Sequence, residues 1–187
     1  MGHGGDVIAE LTVDHQEVED FFKEIQGLPS GDPRRKHYAD KLTIELVRHS
    51  VAEEEYLYPA VREHLPDGDA IADKELADHA EAERIMKDLE GCRADDPRFD
   101  GLVDKLMTEI RAHVADEEGS LFPRLRGACS PDTLAELGDK VRSAKKTAPT
   151  RPHPSAPDKP PANKLLAPGV GLVDRLRDAM SGRGKDS

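Results

Sequence analysis

The sequence predicts an all-α protein: an up-down-up-down four-helix bundle, then a short fifth helix, a Pro-rich linker and a short C-terminal amphipathic segment. Three observations predict it. Apolar residues recur every three or four positions in four successive segments, which is the period of helices with one buried face. Short breaks rich in Gly, Pro and Asp separate those segments, so consecutive helices lie antiparallel. The chain also repeats itself. His49-Ser50-Val51-Ala52-Glu53-Glu54-Glu55-Tyr56-Leu57-Tyr58-Pro59 returns 64 residues later as His113-Val114-Ala115-Asp116-Glu117-Glu118-Gly119-Ser120-Leu121-Phe122-Pro123. The same offset carries Asp14-His15 onto Asp78-His79 and Glu19 onto Glu83, so the repeating unit is a whole helical hairpin.

The first helix runs from about Asp6 to Gln26, with Ile8, Leu11, His15, Val18, Phe22 and Ile25 on one stripe. Gly27, Pro29, Ser30 and Gly31 break it, and Asp32 before Pro33 is an N-cap with proline at the first helical position. The second helix turns Tyr38, Leu42, Glu45 or Leu46, His49, Glu53 and Tyr56 inward and continues to about Pro59 or a little beyond, with Pro59 expected to end or kink it. After the turn at Leu65-Pro66-Asp67-Gly68-Asp69, the third helix carries Ala72, Leu76, His79, Glu83, Met86 and Leu89 and closes at Gly91. Asp95-Asp96-Pro97 opens the fourth, whose stripe is Leu102, Leu106, Ile110, His113, Glu117 and Leu121, and Pro123 repeats the event at Pro59. Ser130-Pro131 caps a fifth, shorter helix reaching about Lys146, with Leu134, Leu137 and Val141 on one side, expected to lie across the bundle.

Residues 1–146 therefore form the bundle with its trailing helix. Residues 147–163, with six prolines, read as an extended linker. Residues 164–187 are a basic tail in which Val170, Val173, Leu176 and Met180, opposite Arg175 and Arg177, form a short helix or fray.

Composition narrows the function. In 187 residues there is no 18-residue apolar run and no signal segment at Met1, so the expectation is a soluble protein of about one domain without a membrane role. Cys92 and Cys129 have no metal-binding or redox spacing and read as free thiols of a cytoplasmic protein. Residues 145–187 hold nine Lys/Arg against four Asp/Glu, which leaves 18 against 34, or −16, for residues 1–144. A body so acidic is a poor partner for nucleic acid.

The residues that carry chemistry are the polar ones on the apolar stripes: His15, His49, Glu53, His79, Glu83, His113 and Glu117. Residues i and i+4 lie one turn apart on one helix face, so His49 with Glu53, His79 with Glu83 and His113 with Glu117 can each point at one object. A buried unpaired charge costs several kcal/mol and an unsatisfied polar group about 1–3 kcal/mol. Seven such groups exceed what a domain stable by about 5–15 kcal/mol tolerates. A cation compensates them, and mixed imidazole and carboxylate donors suit iron or manganese. His3, His37, His64 and His153 lie off the stripes and are expected at the surface.

Over roughly residues 6–127, with the doubled His-x-x-x-Glu-Glu-x-x-Leu-aromatic-Pro signature, the chain resembles the hemerythrin-like, or HHE cation-binding, family. The resemblance implies two non-haem irons under an oxo or hydroxo bridge, one on His15 and His49, the other on His79 and His113, with Glu53 and Glu117 bridging. Manganese or zinc are alternative occupants. The oxygen-carrying members have His-x-x-x-His on the third helix, where this chain has His79-x-x-x-Glu83, and a fourth-helix spacing one residue longer that ends in Asp. Both departures point away from reversible oxygen carriage. With Glu83 as a ligand the second iron is filled, and the first keeps an open position unless Glu19 or, at lower priority, Tyr56 completes it. The leading expectation is a protein that binds or reduces a small oxidant (O2, H2O2 or NO), with catalase- or peroxidase-like turnover. The alternative is a non-enzymatic iron- or oxygen-responsive sensor or iron-binding protein whose C-terminal tail contacts a protein partner.

Overall fold

The computed structural model describes residues 4–155 and 162–184, and the side chains of 162–168 are outside that description, as is His3. The first helix, α1 (Val7–Gln26), begins where Asp6 Oδ1 accepts from the Ala9 amide at 2.8 Å. In α2 (Pro33–Ala52), Asp32 caps the Arg34 amide and Pro33 takes the first position, as its fixed φ favours.

Pro59 does not end the second bundle helix. A proline has no N–H, and its ring collides with the carbonyl four residues back, here that of Glu55. The helix answers by widening: in a π-turn at Glu53–Leu57 the Tyr58 amide reaches back to the Glu53 carbonyl, and α3 (Tyr58–His64) continues the rod. The repeat does the same. α4 (Gly68–Glu90) returns, α5 (Phe99–Asp116) rises, and before Pro123 a π-turn at Glu117–Leu121 joins it to α6 (Phe122–Ala128). Both widened turns start at an inward-facing glutamate, a common setting for such turns at functional sites.

The four rods enclose two apolar clusters with a polar layer between them. One cluster holds Leu11, Leu57, Leu76 and Leu121; the other holds Val18, Leu46, Ala82 and Ile110. His15, His49, Glu53, His79, His113 and Glu117 lie between those positions on every rod and are all buried. The polar ring therefore sits at one level of the bundle, closed from water above and below.

α7 (Pro131–Thr147), capped by Ser130, does not cross the bundle as expected. It runs alongside α1 in the same direction. Gly138 meets the start of α1, where a Cβ would stand 2.7 Å from the Gly5 carbonyl, Arg142 pairs with Glu10, and Lys145 pairs with Asp14. Its Leu134, Leu137, Val141 and Ala144 extend the first apolar cluster.

Of the segment 147–163, residues 148–152 carry no helix or strand, yet they are buried, so this stretch is packed chain rather than a solvated spacer. α8 (Ala162–Ser181) is a 20-residue helix, longer than the short segment expected. Its Asp174 and Asp178 face inward, while Leu172, Val173, Leu176 and Met180 are exposed. Gly171 allows the contact with the end of α7, since a Cβ there would stand 2.2 Å from the Thr147 carbonyl. Cys92 and Cys129 are free thiols, and among the described residues no helix is long and apolar enough to cross a membrane.

Candidate metal centre

α1 and α2 bring His15 and His49 together with ring centres 5.0 Å apart; α4 and α5 bring His79 and His113 together at the same 5.0 Å. Glu53 stands between the pairs. Its Oε1 lies 3.1 Å from His49 Nε2 and its Oε2 lies 3.3 Å from His79 Nε2, so each oxygen serves one pair. Glu117 Oε2 is 3.4 Å from His15 Nε2 and 3.5 Å from His113 Nε2.

These atoms form overlapping groups in which all donor atoms lie within 4.8 Å of one another: His15, His49, Glu53 and Glu117; Glu53, His79 and His113; Glu75, His113 and Glu117. Each group could hold a metal ion. Donors about 2.1 Å from one ion and at right angles are about 3 Å apart, which matches the separations found. His15 Nε2, His113 Nε2, Glu53 Oε1 and Glu117 Oε2 are buried without a hydrogen-bond partner. Orphaned donors and acceptors at one level of a dry core are what a cation would satisfy.

The far nitrogen of every ring faces a carboxylate. His15 Nδ1 meets Glu118 at 2.8 Å, His49 Nδ1 meets Asp14 at 3.1 Å, and His79 Nδ1 meets Glu54 at 3.0 Å. Glu75 Oε2 lies 2.8 Å from His113 Nδ1, off the line of an aligned hydrogen bond. Such partners fix the ring and its tautomer and make Nε2 the donor toward the centre. Asp14 also holds Lys145 and, despite burial, stays below the ordinary carboxylate range through His49 and Lys145.

Tyr58 adds a buried hydroxyl to the centre. Its hydroxyl is 3.0 Å from His79 Nε2 and donates toward Glu117 Oε1 at 3.3 Å and Glu53 Oε2 at 3.4 Å. Burial, then the charge of Glu53 and Glu117, pushes its ionisation well above the usual value, so the phenol stays protonated. Burial alone would lower His49 and His79, but Glu53 with Asp14 holds His49 up at about 10, and Glu53 with Glu54 holds His79 up at about 10.

The structure brings six of the seven predicted residues together and leaves Glu83 out. Its Oε1 accepts from the His153 amide at 2.7 Å, and burial pushes its carboxyl up from the usual value. Glu19 faces away too, paired with Arg111 through both oxygens at 2.7 and 3.0 Å. Tyr56 is half-buried and packs against the first apolar cluster. Sequence reasoning assigned no role to Asp14, Glu54, Glu75, Glu118 or Tyr58. The repeat did contain a signal for some: Glu54 and Glu118 are the second glutamates of its two copies, and Asp14 precedes His15. No signal marked Glu75, whose counterpart 64 residues earlier is Leu11.

A groove of about 510 Å³ between α1 and α5 has His15 and Glu118 in its lining, together with Val18, Glu19, Arg111 and Val114. It brings solvent-accessible space to the edge of the His15 pair.

Comparison with known proteins bears on the fold and the family. A crystal structure of a hemerythrin HHE cation-binding domain-containing protein from Mycobacterium kansasii superposes with a TM-score of 0.65 at 21% identity, covering 75% of this chain and 85% of that one, a likeness of fold. An uncharacterized hemerythrin-like protein of Schizosaccharomyces pombe is 28% identical over 168 residues, 89% of this chain and 82% of its own length. A DNA nickase of Nostoc sp. (strain PCC 7120) is 31% identical over 137 residues, 72% of this chain but only 38% of that protein. The hemerythrin HHE cation-binding domain model matches residues 6–125, and the chain belongs to that family.

Proposed function

We propose that the chain is a cytoplasmic non-haem di-iron protein that binds or reduces a small oxidant, namely dioxygen, hydrogen peroxide or nitric oxide. The observation that carries the two-ion reading is Glu53, whose two oxygens face different imidazole pairs. Two bound irons would supply redox equivalents and an exchangeable position for the oxidant. His15 and His49 would hold one, His79 and His113 the other, with Glu53 and Glu117 shared.

The chain's own residues do the rest. Asp14, Glu54, Glu75 and Glu118 orient the rings, and the two apolar clusters exclude bulk water. The Tyr58 hydroxyl presents a proton at the His79 side, while Phe122, its counterpart in the repeat, stacks on His15 at 5.8 Å and presents none. The groove beside His15 gives a small molecule its approach. Nicking of DNA, the activity in the name of the cyanobacterial relative, is not carried over, because residues 1–144 have a charge of −16 and phosphate contacts need a basic patch.

The test is metal analysis and an absorption spectrum of full-length protein purified without chelator, expecting about two irons per chain and a ligand-to-iron charge-transfer band. Catalysed peroxide loss that disappears in Glu53→Ala supports turnover. A second reading, an iron- or oxygen-responsive sensor with a protein partner, is favoured by the exposed Leu172, Val173, Leu176 and Met180 of α8. It predicts no turnover and a change in tail proteolysis on metal loading.

A further inference from the structure

Four histidines in this chain have a glutamate one turn further on: His15 with Glu19, His49 with Glu53, His79 with Glu83, and His113 with Glu117. In α-helical geometry all four carboxylates start from the same relation to their histidine. Two are fully buried in the centre, and two are outside it and held by something else. Glu19 is held by a surface arginine, the kind of exposed pair that contributes about 0–1 kcal/mol. Glu83 is held by the C-terminal part of the chain.

That hold is firmly built. The Thr150 and Arg151 amides each donate to Asp174 Oδ2 at 3.2 Å, Thr150 Oγ1 donates to Asp178 Oδ2 at 2.6 Å, and His153 Nε2 is 2.9 Å from Asp174 Oδ2. Arg151 bridges Glu90 of α4 and Asp178 of α8, and Arg183 ties the same region to Asp40 of α2. The strap formed by residues 148–153 is thus fixed to α4 on one side and to α8 on the other. In between, the His153 amide meets Glu83.

We infer that His153 is a positioning residue: its backbone N–H withholds Glu83 from the metal centre, so that the strap sets how many protein ligands the His79 and His113 pair offers. Released from the amide, Glu83 stands one turn from His79 with a side chain long enough to turn toward it, and it then occupies a position otherwise open to an exogenous ligand. The inference rests on the di-iron reading of the site.

The experiment uses full-length, iron-loaded protein with azide as the probe. His153→Pro removes the amide hydrogen; His153→Ala keeps it and removes only the contact with Asp174. His153→Pro is expected to shift the charge-transfer spectrum and weaken azide binding about tenfold, the scale on which partners of ligating residues act. His153→Ala leaves both as in the wild type. In the double variant His153→Pro with Glu83→Gln, which has no anionic carboxylate to offer, the wild-type spectrum and affinity return. Identical spectra and azide affinities for wild type and His153→Pro, or a change that persists in the double variant, overturn the inference. Loss of folding in His153→Pro is read through the same double variant and by circular dichroism, with Glu83→Gln alone expected to match the wild type. A wild-type protein that takes up no iron sinks the di-iron reading itself, whereas a two-iron wild type with indifferent variants sinks only the strap.

Discussion

The hairpin α1 to α3 and the hairpin α4 to α6 are two copies of one design, and they differ where chemistry is decided. Both present a histidine, a His-x-x-x-Glu pair and a π-turn before a proline. In the first, Asp14 supports His49 and is neutralised by Lys145 of α7; in the second, the equivalent Asp78 turns out to Lys74 at 2.9 Å, and Glu75 faces His113 instead. The swap follows from what covers each hairpin. Leu11, at Glu75's position in the repeat, is buried in the apolar cluster to which α7 contributes. A repeated helix pattern thus fixes the inward ring, and the unrepeated neighbours choose its supports.

The largest expected effect comes from removing what the halves share. Glu53→Ala should abolish loading of both ions by metal analysis. In the metal-free protein it should cost about 3–5 kcal/mol by chemical denaturation, because His49 and His79 lose their buried counter-charge.

Next comes pH. His49 and His79 ionise near 10 in the folded protein against an ordinary 6.5, so between those values the folded state binds more protons than the unfolded chain. The contribution of these two histidines to the stability of the metal-free protein is therefore fully present below about pH 6.5 and is lost as pH rises toward 10. Metal binding needs neutral imidazoles, so metal affinity moves the other way over the same range, and loading at neutral pH releases protons. Denaturation and metal titrations at pH 6.5 and 9 check both signs.

Asp14→Asn against Asp78→Asn separates the two copies directly. The first should lower metal affinity about 10–100-fold by releasing His49; the second should leave it unchanged, although both occupy the same place in the repeat. Tyr58→Phe, which makes the first hairpin match Phe122, has the smallest effect among changes to the buried ring. It should lower thermal stability by about 1–2 kcal/mol, since buried acceptors lose a donor, with full metal content and an altered spectrum.

The helical bundle was legible because burial leaves a periodic imprint: Leu11, His15 and Val18, or Ile110, His113 and Glu117, declare a face without any knowledge of the partner. Pro59 and Pro123 misdirected only in part, since a helix can widen past a proline where the neighbouring rods still hold it. The trailing helix was legible as a helix but not in its direction, because a stripe of Leu134, Leu137 and Val141 says which side is buried and not against what.

What the amino-acid sequence determined by itself is therefore the level of the ring and its mixture of imidazole and carboxylate, with the four histidines on the inward stripes, because helical spacing is a local property of the chain. Only the tertiary structure decided which glutamates reach that ring. Glu53 and Glu83 have the same spacing from their histidines, and they part where an amide from a distant irregular segment, with no periodicity to announce it, reaches Glu83.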